Sequence, residues 1–364
     1  MNRKGTNEVD EEPSHKGAMP KLPSELITEI LIRLPVKSLC RFRCVCKRWR
    51  SLISDPHFVK LHLDRAERKR LILGSYSLHS VDCEPPLDDR VVAEQLDFPL
   101  KENLNLNDNY VEIFGSSNGL LCIMPKPKRF FVFNPTTGES REIPFLSVAP
   151  PSDTNVNQSN LFGFGYAPSV DDYKFVRVSY GCITNVFSLR TNLWKTVQEK
   201  FDYDLSGSLS LGTYLHGSVH WVARINEGPV VIVAFDLSEE KFKELPLPAA
   251  IPNFDLFNVG VLRGCLCLLH SSGLSIHHEF WLMNEYGMKD SWRQILIAEP
   301  YSFLKPLCYW KTNKILMAKD LTQLVLCHPK DGTCKDFMVE GMPIEFHADL
   351  YVESLVSPNF FVGT

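Results

Sequence analysis

Hydrophobic positions along the chain follow two different periods. Between residues 20 and 62 they recur at helical spacing: Leu22, Leu26, Ile30 and Leu34 form one stripe, with Ile27 and Leu31 beside it. Pro23 suits a first-turn position, where its missing N–H costs nothing. Pro35 ends the helix, because proline disfavours helical geometry in the residue before it. A second short helix is expected through Leu39 and Phe42, and a third through Val45, Trp49, Leu52 and Ile53. Asp55-Pro56 reads as a cap and first-position pair for a further segment carrying Phe58 and Leu61. So small a module buries too little surface to be stable alone. Its large apolar side chains therefore await a partner or dock on the rest of the chain.

From Leu71 onward the period shortens to that of strands, in runs separated by Gly, Pro, Asn and Asp. A landmark repeats: Phe133 before Asn-Pro-Thr-Thr-Gly, Phe187 before Ser-Leu-Arg-Thr-Asn, Phe235 before Asp-Leu-Ser-Glu-Glu, Met283 before Asn-Glu-Tyr-Gly, and Cys327 before His-Pro-Lys-Asp-Gly. Successive sites lie 54, 48, 48 and 44 residues apart, the period of a four-stranded propeller blade. Three are preceded by a second landmark, a Gly turn before an apolar strand: Asn118-Gly119, His216-Gly217 and Arg263-Gly264. Five units are visible, with unpaired β-type remnants on either side, at Leu71–Tyr76 and Asp349–Val356. Pairing the remnants would complete a sixth, composite blade and leave no raw strand edge.

The expected fold is mainly β with a small α module: an N-terminal three-helix unit followed by a six-bladed β-propeller. Expected boundaries are a disordered tail at 1–19, the helical unit at 20–62, a linker at 63–70 and the propeller at 71–364. The tail follows from Glu8, Asp10, Glu11 and Glu12 with almost no apolar residue, and is not the pattern of a signal peptide. A net charge of −4 argues against a surface dedicated to nucleic acid. Apolar runs such as Val230–Phe235 are too short to span a bilayer. Eleven cysteines, an odd number with no Cys-x-x-Cys, read as small buried hydrophobes in a reduced protein, not as disulfides or a metal site.

Residue-level chemistry points away from catalysis. His216 and His220 lie in a strand pattern that would hold them about 13 Å apart, too far to share a metal. His277 and His278 are adjacent and would face opposite ways. Ser271-Ser272-Gly273 lacks the strand-to-helix context of a nucleophile elbow. The pairs Asp88-Asp89 and Asp171-Asp172 read as solvated turns. No Gly-rich phosphate loop occurs, no polar cluster at a central channel can be identified, and neither cofactor nor metal is expected. The long connections Cys83–Asn109, Leu146–Asn160, Glu199–Ser210 and Pro246–Phe257 are the expected substrate-contacting loops, with 150–159 read as disordered.

The run Leu22-Pro23, Ile30-Leu31, Leu34-Pro35-Val36-Lys37-Ser38-Leu39, Arg43–Trp49 and Leu52-Ile53 closely resembles the F-box of plant F-box proteins. The later segments Phe133–Gly138, Gly163–Tyr166 with Asp171–Lys174, and His216–Trp221 resemble the F-box-associated, kelch-type domain of the same proteins, although the Gly-Gly doublet of ordinary kelch repeats is absent. The resemblance implies a non-catalytic substrate receptor of an SCF ubiquitin ligase, cytoplasmic or nuclear, that ties a protein substrate to a Skp-type adaptor and thence to a cullin. It implies that Leu22, Pro23, Leu26, Ile30, Leu34, Pro35, Val36, Leu39, Val45 and Trp49 form or support the adaptor contact. Some proteins of this architecture act in plant immune control and others in pollen self-incompatibility. A propeller enzyme and a non-degradative scaffold are the alternative readings.

Overall fold

The computed structural model describes residues 23–66, 68–83, 90–103, 110–146, 160–179, 183–198, 203, 211–225, 228–248, 256–271, 278–297, 301, 303–310 and 313–360. Leu22, the tail at 1–19, Asp88-Asp89, His277 and Ser272-Gly273 lie outside the described residues. Four helices come first: α1 (Ser24–Leu31), α2 (Val36–Phe42), α3 (Lys47–Ile53) and α4 (Pro56–Asp64). Asp55 caps α4 as its sequence predicts, accepting from the backbone N–H groups of His57 and Phe58 at 3.0 and 3.2 Å. Pro23 sits one residue earlier than expected, at the N-cap of α1 and not inside its first turn.

The described strands then form six four-stranded antiparallel sheets, the six blades of a propeller. The innermost strands are Glu112–Ser117, Leu161–Ala167, Thr213–Leu215, Leu256–Leu262, Leu304–Trp310 and His347–Val352. The last of these belongs to the composite blade, whose other three strands are Lys69–Gly74, Leu78–Asp82 and Ala93–Gln95.

Both recurring landmarks have a local physical cause. Asn118-Gly119, His216-Gly217 and Arg263-Gly264 each place two residues at positive φ, between 48° and 84°. That is the two-residue hairpin whose twist matches the flanking strands. The landmark that follows Phe133 and its equivalents sits between the third and fourth strands of a blade. Asn134 Oδ1 accepts from the backbone N–H groups of Thr136 and Thr137 at 2.8 and 3.2 Å, and Asp236 Oδ1 from those of Ser238 and Glu239, both at 2.9 Å. These side chains replace backbone partners in the turn. The residue before each turn (Phe133, Phe187, Phe235, Met283 or Cys327) points into the blade core and is buried. Sequence spacing thus found the blades through turn chemistry and an anchoring side chain together.

Closure pairs Lys69–Gly74 with His347–Val352, in register from Lys69 opposite Val352 to Gly74 opposite His347. Both partners are displaced from the expected remnants. Tyr76 lies in the following turn, and the return strand ends at Val352. Residues beyond it serve as a strap. Ser354 Oγ donates to the Asn118 carbonyl at 2.7 Å, while Asn134 Nδ2 donates to the carbonyls of Ser354 and Val356 at 3.1 and 2.7 Å. Gly119, with φ of +84°, lies so close to this strap that a Cβ would collide with Ser354. Within the closing blade, buried Arg70 donates from Nε to Ser80 Oγ at 2.7 Å and lies 3.6 Å from Glu353. The Ser80 and Tyr351 hydroxyls are 2.9 Å apart.

Two readings from the sequence are corrected. Cys327 and Cys334 are opposite one another across the hairpin joining Gln323–Cys327 to Cys334–Asp336 and form a disulfide, because adjacent strands bring the pair into contact. Asp172 is no solvated turn residue: it is buried, accepting from Ser188 Oγ at 2.6 Å and from the Arg190 backbone N–H at 2.8 Å.

Two predictions follow from closure and burial. A chain ending at Pro343 lacks the inner strand of the closing blade, so thermal unfolding of the whole propeller should shift down and lose cooperativity; an unchanged melting temperature would contradict closure by the chain ends. His220 is buried, with Nδ1 3.0 Å from the Thr213 carbonyl and Nε2 2.6 Å from the Tyr286 hydroxyl. Nδ1 therefore carries the proton and Nε2 accepts from the phenol. Burial holds its pKa down at about 4. The unfolded chain binds this proton at higher pH than the folded one, so the His220 contribution is complete above about pH 6.5 and is lost as pH falls toward 4. A difference of this size is worth roughly 3 kcal/mol. In denaturant titrations, His220→Gln should flatten stability between pH 6.5 and 4 relative to the parent; an unaltered slope would show that His220 does not titrate in this window.

Candidate functional site

Antiparallel connectivity gives the propeller two chemically different faces. Turns between first and second strands, and between third and fourth, open on one side. Turns between second and third strands, and the connections from blade to blade, open on the other.

The helices sit on the first side. Leu355 of the strap enters the helical core beside Leu31, Ile32, Val36, Leu39, Ile53 and Phe58. Val59 and Leu63 of α4 pack on the apolar cluster shared by the second and third blades, where Phe114, Phe130, Phe162 and Phe175 meet with ring centroids 4.9 to 6.2 Å apart. Arg43 lies 3.6 Å from Glu139 in a hairpin turn of the second blade. A cleft of about 840 Å³ remains between α4 and the turns around Asn118 and Asp171.

Within this module the expected adaptor residues divide into three groups. Pro23, Leu26, Ile30, Pro35 and Val45 are exposed; the three apolar side chains Leu26, Ile30 and Val45 leave 50, 54 and 63% of their surface open. Leu34 and Trp49 are half-buried, and Trp49 packs on Phe42 with ring centroids 5.2 Å apart. Val36 and Leu39 are buried and hold the helices together. Leu22 lies outside the described residues. α1 is thus apolar on two adjacent sides: Ile27 and Leu31 face inward, while Leu26 and Ile30 project outward. The outward side leaves about half the surface of Leu26 and Ile30 open, an arrangement that exposes apolar area without internal benefit.

The second side carries the blade-to-blade connections. The ends of Leu146–Asn160 and Pro246–Phe257 lie here, while most of their interiors, including 150–159, and nearly all of Glu199–Ser210 lie outside the described residues. Cys83–Asn109 is not one loop, because the short strand Ala93–Gln95 and a helical turn at Lys101–Asn103 interrupt it.

This face also opens onto an axial cavity of about 460 Å³, lined by the beginnings of the inner strands. Glu112, Thr213, Asn258, Lys305, His347 and Asp349 line it, contributed by five blades. Lys305 Nζ pairs with Asp349 at 3.2 Å. Burial raises the Glu112 pKa, while burial and then the Lys305 charge lower that of His347. A convergent polar set at the channel was missing from the sequence reading. The blades repeat in sequence at their hairpins, whereas these residues lie on inner strands with no shared motif. His216 and His220 are likewise nearer than an extended strand implies: His216 lies in a hairpin turn, and both rings pack edge-on against Tyr286, at 5.3 and 5.6 Å. Among the described residues, no group of three or more His, Cys, Asp or Glu could hold a metal ion, and no helix is long and apolar enough to cross a membrane.

Comparison with known proteins agrees with this two-part architecture. Residues 19–61 match the F-box domain, and residues 70–357 match the F-box associated beta propeller domain. F-box protein CPR1 of Arabidopsis thaliana is 31% identical, over 93% of this chain and 89% of that protein. An F-box/kelch-repeat protein of the same plant is 28% identical, over 96% of this chain and the whole of that protein. With an uncovered helical face on one side of a six-bladed ring and both parts matched in order, the chain belongs to the F-box proteins that carry an F-box associated β-propeller domain.

Proposed function

We propose that this chain is the substrate-recognition subunit of an SCF-type ubiquitin ligase, holding a Skp-type adaptor, and through it a cullin, on its helical module and a protein substrate on its propeller. The observation that carries the reading is the outward side of α1, where Leu26 and Ile30 stay half exposed although the module already docks on the propeller through its other side. A partner covering that side would remove apolar area from water and gain from a few central anchors. Pro23, Pro35 and Val45 extend the proposed contact, Leu34 and Trp49 border it, and Val36 and Leu39 support it from within.

The mechanism we propose is proximity. Substrate and activated ubiquitin held on one scaffold meet as an intramolecular pair, at a higher effective concentration than in free solution. The chain itself need not touch the reacting carbonyl. Because the helices occupy one face, a substrate on the opposite face would meet the adaptor only through the rigid ring.

Ile30→Glu should keep the fold, since the side chain is 54% exposed, and weaken adaptor binding by about thirtyfold, the loss of one interface anchor worth about 2 kcal/mol. Calorimetric titration of purified adaptor into the folded variant measures this. Undiminished affinity would place the adaptor elsewhere. Replacing Pro246–Phe257 with a short Gly/Ser linker should leave adaptor affinity unchanged and weaken substrate capture. Intact capture after the same replacement in Leu146–Asn160, Glu199–Ser210 and Pro246–Phe257 together would exclude these connections as the recognition surface.

A further inference from the structure

The axial cavity has the size of a small-ligand pocket, and its chemistry is unevenly charged. Lys305 is matched by Asp349 at 3.2 Å. Glu112 has no hydrogen-bond or ion-pair partner among the described residues, and it lies at the start of the inner strand Glu112–Ser117, where it lines the cavity. At the rim, exposed Glu345 precedes the inner strand of the closing blade. Beside it stands an aromatic wall. Tyr76 is 55% exposed and meets Tyr110 edge-on at 5.8 Å, and Tyr110 meets His347 edge-on at 5.6 Å. Burial is the main cause that pushes the Tyr110 phenol up to about 12, and Glu345 and Glu112 both add to the rise.

These groups are ordered along the axis. Tyr110 and His347 face each other at the entrance. Two residues further along the chain from each come Glu112 and Asp349, both lining the cavity. An entering group therefore passes aromatic surface before it reaches an uncompensated carboxylate. Below the rim the wall is largely apolar, with Val259, Val261, Pro306 and Leu350. A long aliphatic stem ending in a cation matches this sequence of surfaces: the stem lies against the rings and apolar wall, and the head group meets Glu112. An anion would meet charge of its own sign at Glu112, and a purely apolar group would cover this half-buried carboxylate without giving it a partner.

We propose that the channel mouth is the receptor for one basic side chain, an arginine or lysine, carried on an extended segment of the substrate protein. This rests on the receptor reading above and gives it a substrate class. The face is the one opposite the helices, so a segment bound there leaves the adaptor surface free.

The test uses the full chain and a peptide pair, acetyl-Gly-Ser-Arg-Ser-Gly-amide and its Arg→Gln counterpart, followed by saturation-transfer difference NMR, which reads millimolar binding. Transfer to the arginine methylenes is expected with the parent protein and should fall at least fivefold in Glu112→Gln. It should fall less in Glu345→Gln, which is exposed and keeps the fold, and stay unchanged in Glu29→Gln on α1. Equal transfer to the Gln peptide, or transfer indifferent to both Glu112→Gln and Glu345→Gln, would overturn the inference. Agmatine bound at least tenfold more tightly than the peptide would make the occupant a free organic cation and overturn the assignment to a protein segment. Adaptor affinity is measured on the same samples. If the adaptor binds while the NMR arm fails, the channel inference falls and the receptor reading stands. If the parent protein does not bind the adaptor, the receptor reading falls, and with it the substrate class.

Discussion

The pairing of Lys69–Gly74 with His347–Val352 is the interaction on which the rest of the molecule depends. Without it, Lys69–Gly74 would present a raw edge and His347–Val352 would have no partner strand, and such edges invite pairing with other chains. Closure does more than hide edges. It brings the strap that follows Val352 against Asn118 and Asn134 and sends Leu355 into the helical core. The helical module is thus seated by the same segment that shuts the ring. A buried charge cluster around Arg70 and Glu353 reinforces the seam. Its geometry is specific, and removing one partner would leave an uncompensated buried charge, a loss on the order of 3 kcal/mol or more.

Rigidity follows from this arrangement, and rigidity is what a proximity mechanism needs. Short hairpins built on Asn-Gly, His-Gly and Arg-Gly pairs set one face, and α4 packs on the apolar cluster beside the Asn118 turn. Longer connections and the polar channel mouth occupy the other. Dividing the faces lets sequence vary in the recognition loops without disturbing the helical seat. In the proposed receptor, this division is what keeps adaptor and substrate from competing.

Much of this was legible in the sequence, and for reasons that can be named. The turn after Phe133, Phe187 and Phe235 needs a side chain that can accept backbone hydrogen bonds, and the phenylalanine before it fills the blade, so chemistry and packing repeat together. The composite blade was readable because two strand-like remnants lacked partners. Other features depended on contacts that no local pattern carries. The seam register slipped from the expected remnants because Ser354 and Val356 bind Asn118 and Asn134, and Leu355 enters the helical core, instead of extending the strand. The inner strands share position but not sequence, so Glu112, Lys305 and Asp349 could not be aligned before the ring was closed. The helical stripe was read correctly as apolar, yet only burial could tell the outward Leu26 and Ile30 from the supporting Val36 and Leu39.

Hydrogen–deuterium exchange of the full chain, with and without a saturating Skp-type adaptor, addresses the two-face account most directly. Protection is expected in the segment from Ser24 to Val45 that carries the exposed Leu26, Ile30 and Val45, with exchange unchanged at the starts of the inner strands around Glu112, Asn258 and His347. Adaptor-induced protection at those inner-strand positions, with none in α1, would contradict the account.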